Sequence, residues 1–238
     1  MNGRLYTMRK KGLEYYRGIP MHADAEVHEV VAQLVRSFVP NGARVLDVGA
    51  GSGALSQRLH DGGFDVTAVD VDASAWRAPN VELIVLDVER GIAGSLDGSF
   101  DAVCCVELIE HVENPWQLLR ELFAVTRPGG TLVLSTPNVQ SFVSRIMFLR
   151  SGHLHQFEDA DRGYGHASPI TDDELRLVAE RAGWRAIEVR PGGSLPVFDL
   201  SPRTVHSLLM NVIRGVTYLV AKGEKRGWCL VYRMRKPE

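Results

Sequence analysis

Cysteine is scarce in this 238-residue chain: Cys104, Cys105 and Cys229 are the only three. Three cysteines cannot build a disulfide framework, and an adjacent pair inside an apolar run reads as small residues of a buried strand in a reducing, cytoplasmic setting. Long hydrophobic runs are missing too. No stretch approaches the roughly 20 apolar residues of a membrane-spanning helix. The basic residues near the start, Arg4, Arg9, Lys10 and Lys11, have no apolar core after them and do not read as a secretory signal. Neither sign of charge dominates: 27 basic residues face 29 acidic ones, for a net charge of −2. That gives no global basic field and, with no RNA-binding module visible, no nucleic-acid partner is expected. Internal repeats and low-complexity segments are absent, and nothing sets the oligomeric state. With 45% hydrophobic residues, the length suits one large α/β domain over residues 1–238 and is too short for two.

The most informative stretch is Arg44-Val45-Leu46-Asp47-Val48-Gly49-Ala50-Gly51-Ser52-Gly53, an apolar strand running into a glycine-rich turn. Val45, Leu46 and Val48 suit a parallel strand covered on both faces. Gly49, Gly51 and Gly53 allow positive φ and close backbone approach to a ligand, with Ala50 between them. The following residues, Ala54 to Leu59, read as a helix whose free N–H groups point into the same space. A second strand, Phe64 to Val69, ends in Asp70-Val71 about twenty residues on, where a carboxylate can take both hydroxyls of a ribose.

That spacing fits NAD as well as S-adenosylmethionine, and three features separate them. Asp47 precedes the glycines, which fall as GxGxG and not as GxGxxG; an acid there repels a pyrophosphate but suits the ammonium of an amino acid. The third strand, Val81 to Leu86, ends in Asp87-Val88, where a carboxylate can accept the adenine amino group and an aliphatic side chain can cover the ring. The fourth, Phe100 to Val106, leads into Glu107-Leu108-Ile109-Glu110-His111-Val112, then a helix, Arg127-Pro128-Gly129-Gly130 and the strand Thr131 to Ser135.

With these segments in order over residues 43 to 138, the chain resembles the class I S-adenosylmethionine-dependent methyltransferases. The resemblance implies a Rossmann-like α/β fold: a seven-stranded, mostly parallel sheet with an antiparallel last strand and helices on both faces. It implies S-adenosylmethionine as methyl donor, held by Asp47, Gly49, Ala50, Gly51, Gly53, Asp70, Val71, Asp87 and Val88, with Glu107 at the methionine end.

Outside that block, residues 1–21 read as an irregular N-terminal arm in which Tyr15, Tyr16, Arg17 and His22 can close over the cofactor, Arg17 facing its carboxylate. Asp24 to Phe38 reads as an amphipathic helix ended by Pro40-Asn41-Gly42. Thr171-Asp172-Asp173-Glu174 signals a helix start and Gly183 its end. Trp184 to Arg190 reads as strand six, Pro202 to Ala221 as a helix and Trp228 to Arg233 as the last strand. The least standard segment is an insertion of about residues 137–170 without obvious secondary structure, of a length typical of lids and binding loops. In the family it lies on the substrate side. Its opening, Phe142, Ile146, Met147, Phe148 and Leu149 interleaved with Arg145 and Arg150, suits a cap on the cleft or peripheral membrane contact through 141–150.

The pattern STPN, an apolar-basic segment and then Gly165-His166 before Ser168-Pro169 is similar to enzymes acting on small molecules and glycans, and to quinone-biosynthesis O-methyltransferases. The reading is therefore O-methylation of a small molecule or sugar precursor; the alternatives are a quinone or prenylated phenol at a membrane surface, or a non-catalytic S-adenosylmethionine-binding protein. For a hydroxyl acceptor, His166 is the first candidate base and His111 the second. His153, His155, Glu158, Asp159, Asp161 and His166 are also of metal-ligating types, but their spacing matches no fixed pattern and a solvated loop accounts for them, so no metal is expected.

Overall fold

The computed structural model describes residues 13–193, 205–220 and 227–238. Its centre is a seven-stranded sheet made of β3 (Arg44–Val48), β4 (Asp65–Asp70), β5 (Glu82–Val85), β6 (Phe100–Val106), β7 (Thr126–Pro137), β8 (Arg185–Gly192) and β9 (Cys229–Arg235). The spatial order is β5-β4-β3-β6-β7-β9-β8, with β9 antiparallel to both neighbours and the other pairings parallel. This is the expected Rossmann-like sheet. β7 starts at Thr126, five residues before the expected Thr131, because Arg127 to Gly130 continue the extended backbone.

Two-sided burial follows from the period-2 alternation of strand side chains. On β6, Ala102, Cys104 and Val106 join one apolar layer, whereas Val103 and Cys105 join the other. The adjacent cysteines thus point to opposite faces, both buried and both free thiols. The first layer packs under α1 (Ala25–Phe38) and α2 (Ala54–Asp61), the second under α3 (Pro115–Val125) and α6 (Asp172–Ala182). Asp24 caps α1 by accepting from Glu26 N at 2.8 Å, and Thr171 caps α6 by accepting from Glu174 N at 3.2 Å. The second layer is anchored by the fully buried Trp184, whose indole donates to Leu119 O at 3.2 Å and meets Phe123 edge-on.

Two expectations need correction. The arm is not irregular over its described part: β1 (Glu14–Tyr16) and β2 (Ile19–Met21) form an antiparallel hairpin. Its two-residue turn, Arg17-Gly18, has φ of 49° and 82°, the positive pair that matches the twist of a tight hairpin. Residues 1–12 of the arm lie outside the described residues. The insertion is not structureless either. It holds α4 (Phe142–Ser151), capped by Ser141 accepting from Ser144 N at 3.1 Å, and the single turn α5 (Asp159–Arg162). Of the expected helix 202–221, α7 (Val205–Val220) is described, and it packs against α4.

Candidate active site

The C-terminal ends of β3 and β6 open onto a cavity of about 290 Å³. Its floor is the turn after β3, where Gly49, Gly51 and Gly53 all have positive φ. Their roles differ more than expected. A Cβ on Gly49 would lie 2.9 Å from Leu108, and one on Gly53 would lie 2.7 Å from Trp76 and Ala78. At these two positions it is neighbouring side chains that exclude a Cβ. A Cβ on Gly51 would meet only His22 at 3.4 Å, so Gly51 is the member of the three whose open side faces the cavity.

Asp47 is buried at the cavity floor and accepts from Ser56 Oγ at 2.5 Å. Burial pushes its carboxyl up to about 6, against the opposing pull of the Ser56 hydroxyl. An incoming ammonium would favour its ionised form. Asp70 ends β4 and holds the turn in shape, one oxygen accepting from Gly51 N at 2.7 Å and the other from Asp72 N at 2.9 Å. Each oxygen retains lone-pair capacity toward a ribose. Val71 beside it is 67% exposed, an aliphatic surface beside the site with nothing packed on it. Asp87 caps the short 3₁₀ turn Val88–Arg90, accepting from Glu89 N at 3.1 Å and pairing with Arg90 at 3.2 Å, while Val88 is half-buried. Asp70, Val71, Asp87 and Val88 lie at the strand ends outside the closed cavity, whereas Asp47, Gly49, Ala50 and Gly51 line it. The arrangement fits a long ligand with its amino-acid end enclosed and its nucleoside on the open ledge.

Glu107 leaves β6 with φ of 50°, a strained value for a residue with a side chain. It is held there by Ser135, whose hydroxyl donates to Glu107 Oε1 at 2.6 Å, and by the Cys229 thiol, which donates to Oε2 at 3.1 Å. Burial raises its pKa, with the Ser135 and Cys229 bonds opposing. Three residues on, Glu110 is fully buried, one oxygen 3.4 Å from Thr136 Oγ1 and the other without a partner among the described residues. Burial and the nearby Glu107 hold that carboxyl well above the usual range.

The backbone carbonyl of Glu110 also organises the far side of the cavity. It accepts from Ala167 N at 3.0 Å and Ser168 N at 2.9 Å, tying the end of the insertion to the β6–α3 connection. His166 is thereby set against His111, their rings edge to face with centroids 4.7 Å apart, and both line the cavity. The two base candidates, 55 residues apart, meet at one point. His166 Nδ1 lies 2.7 Å from Gln156 O, so in the neutral ring that nitrogen donates and Nε2 keeps its lone pair. Burial, and secondarily His166, lower the His111 pKa.

The loop set of possible metal ligands is not assembled. His155 is buried edge-on against Trp228, Asp159 pairs with Arg162, and Asp161 accepts from Glu158 N. A different trio comes together: Glu110, His111 and His166 each offer a ligand atom, all within 4.8 Å of one another. Imidazole and carboxylate ligands of this kind are chemically suited to a divalent cation. Glu110 was missed in the sequence, although it stands directly before His111. Of the arm residues, His22 lines the cavity, but Tyr16 and Arg17 both engage Asp61 at the end of α2 and do not face the site. Pro20 is also at the cavity, its carbonyl accepting from Ser52 Oγ.

A family model described as a methyltransferase domain matches residues 22–189. A curated ubiquinone biosynthesis O-methyltransferase from Xanthomonas campestris pv. campestris is 39% identical over 105 residues, 41% of this chain and 44% of that protein. This match thus spans less than half the length of the relative. Among solved structures, a SAM-dependent methyltransferase from Archaeoglobus fulgidus aligns with a TM-score of 0.61 at 19% identity, over 88% of this chain and 94% of that one. The N-methyltransferase NodS from Bradyrhizobium japonicum, solved with S-adenosyl-L-homocysteine, aligns at 0.55 and 16% identity over 92% and 93%. Family model, sheet order and the acid-flanked glycine turn agree, and the chain belongs to the class I S-adenosylmethionine-dependent methyltransferases.

Proposed function

We propose that the chain transfers the methyl of S-adenosylmethionine to a hydroxyl oxygen of a small molecule, with His166 taking the proton. The observation that carries this reading is the convergence of His166 and His111 in the cavity that the glycine turn also lines. When bound, S-adenosylmethionine supplies a methyl already activated by its sulfonium charge. The chain's residues have three tasks. Asp47 and the Gly49–Gly51 backbone would hold the amino-acid end, Asp70 the ribose, and Asp87 with Val88 the base. The cavity walls would align the acceptor oxygen with the methyl, which supplies most of the rate. His166 Nε2 would receive the hydroxyl proton as the oxygen–carbon bond forms and the carbon–sulfur bond breaks, its Nδ1–H anchored to Gln156 O.

The polar lining, with His22, Asp24, Gln156 and the two imidazoles, favours a hydroxylated acceptor such as a sugar or glycan precursor. A phenol of quinone biosynthesis is the second reading, favoured by the name of the curated relative and by Phe148 and Leu149, exposed on α4 of the insertion. A divalent cation on the trio of Glu110, His111 and His166 would take the Nε2 lone pair of His166 and would stand in for the base by lowering the pKa of a bound hydroxyl. The deciding experiment is transfer of labelled methyl from S-adenosylmethionine into a fractionated extract, followed by mass spectrometry of the product, with and without a chelator. A new methyl ether supports the proposal. Methyl on nitrogen or carbon overturns it, and cofactor binding without turnover on any fraction assigns a non-catalytic role.

A further inference from the structure

Helix α7 carries its apolar stripe on the outside. Leu208, Leu209, Val212, Ile213, Val216 and Leu219 recur at helical spacing, and their exposure runs from 39% for Ile213 to 83% for Leu219. Met210, five residues from the exposed Val205, is buried instead. Helix α7 packs against α4, whose last turn adds Phe148 and Leu149, the latter 88% exposed. A helix of this length gains little stability from hydrogen bonds alone and needs its apolar face covered. Scattered exposed leucines are ordinary; a stripe along one helix face, with two more exposed apolar residues on a helix packed against it, is a surface built to be covered.

Charge selects what covers it. Neither α4 nor α7 contains an acidic residue. Arg145 and Arg150 on α4 are exposed, and no ion pair engages either among the described residues; Arg145 donates only to the Gln140 carbonyl. In sequence, α7 is followed by Lys222, Lys225 and Arg226 against a single acid, Glu224. A second copy would bring a face without acidic residues against another such face, leaving Arg145 and Arg150 no acidic partner from α4 or α7. No described helix is long and apolar enough to cross a membrane. An apolar stripe on a helix without acidic residues, with two exposed arginines on the helix beside it, matches a helix lying in the plane of a charged bilayer surface.

We propose that the outer face of α7, with the end of α4, docks the protein on an anionic lipid bilayer, so that the insertion 137–170, and with it His166, sits at the membrane side of the molecule. This widens the contact expected from residues 141–150 to a second helix and stands independently of the acceptor's identity.

The test is sedimentation of the full chain with phosphatidylglycerol-containing vesicles and with pure phosphatidylcholine vesicles. Binding to the anionic vesicles, weakened by salt, is expected. Val216→Asp with Leu149→Asp should abolish it, and Arg145→Glu with Arg150→Glu should lower partition on the order of 10-fold or more. Unchanged thermal stabilisation by S-adenosylmethionine shows that the variants still fold. Absence of binding to anionic vesicles overturns the proposal, as does equal binding to both vesicle types. So does a concentration-dependent dimer in light scattering that Val216→Asp dissolves without any vesicle binding, which would give the face to a second copy.

Discussion

The two sides of the cavity are assembled by different means. On the donor side the groups are contiguous in sequence and held by backbone. Asp47 to Gly53 turn directly out of β3, and Asp70 fixes that turn through Gly51 N only 19 residues away. On the acceptor side, by contrast, His166 reaches His111 across 55 residues because the Glu110 carbonyl binds Ala167 N and Ser168 N. A backbone site tolerates side-chain change outside the turn and specifies one ligand. A site made by docking a distant loop can accept a new loop without disturbing the donor, which is how one fold serves many acceptors.

The largest expected effect separates the two sides. His166→Asn keeps a donor toward Gln156 O but removes the basic nitrogen. Turnover should fall roughly 10²–10⁴-fold while affinity for S-adenosylmethionine, by calorimetry, stays unchanged. Full turnover in His166→Asn would remove the base from the mechanism and leave positioning as the acceptor side's whole contribution.

Within the donor side, Gly53→Ala and Gly51→Ala divide packing from ligand approach. Gly53→Ala forces a Cβ to 2.7 Å from the Trp76 ring at φ of 86°. Strain and overpacking should together cost about 2–4 kcal/mol of stability in denaturant unfolding. Gly51→Ala meets only the end of His22, so its stability loss should be near the backbone cost of about 1 kcal/mol while cofactor affinity falls. Equal losses in both would mean that the turn is purely structural. Asp70→Ala should weaken S-adenosylmethionine binding by about 1–3 kcal/mol, since a charged acceptor is lost from two hydroxyls. Part of that loss would come through the turn, because Gly51 N loses its acceptor, and Asp70→Asn, whose amide oxygen can still accept, would show how much.

The same division explains what the sequence made legible. The sheet, the glycine turn and the acids at the strand ends beside it were readable in position, because strand alternation and the glycine turn are local patterns. Glu110 was not, since its burial and its carbonyl's grip on Ala167 depend on where a distant loop docks. The hairpin of β1 and β2 was missed for a different reason: its turn places Arg17 where asparagine or glycine would be the usual signal. Tyr16 and Arg17 were aimed at the cofactor by proximity in sequence, yet Asp61 is the carboxylate within reach. The outward stripe of α7 has the same periodicity as an inward one, so pattern alone could not assign its face.

The remaining expected effect is a pH dependence that each side carries separately. His28 on α1 and His155 in the insertion are both buried, and burial lowers each to about 4, with Arg58 adding to the shift at His28. The unfolded chain takes up these protons near pH 6.5, whereas the native protein refuses them until about pH 4. Each histidine's contribution is therefore complete above about pH 6.5 and is lost as pH falls toward 4, by about 1.4 kcal/mol per pH unit within that window. The carboxyls of Asp47, Glu107 and Glu110 are shifted upward and act in the opposite sense, so the raw stability curve mixes signs. Subtracting the curve of a variant removes them. His155→Phe keeps an aromatic ring against Trp228 and leaves the backbone bond from His155 N to Ser144 Oγ in place. The wild-type curve should then drop relative to the variant's below pH 6.5 and run parallel to it above. A difference independent of pH would place His155 in a site where it is already protonated or already exposed, and would loosen the insertion as drawn. The same subtraction with His28→Phe reads the donor side, where a loss that continues to lower pH than the one at His155 would mean that Arg58 adds to burial in keeping that ring neutral.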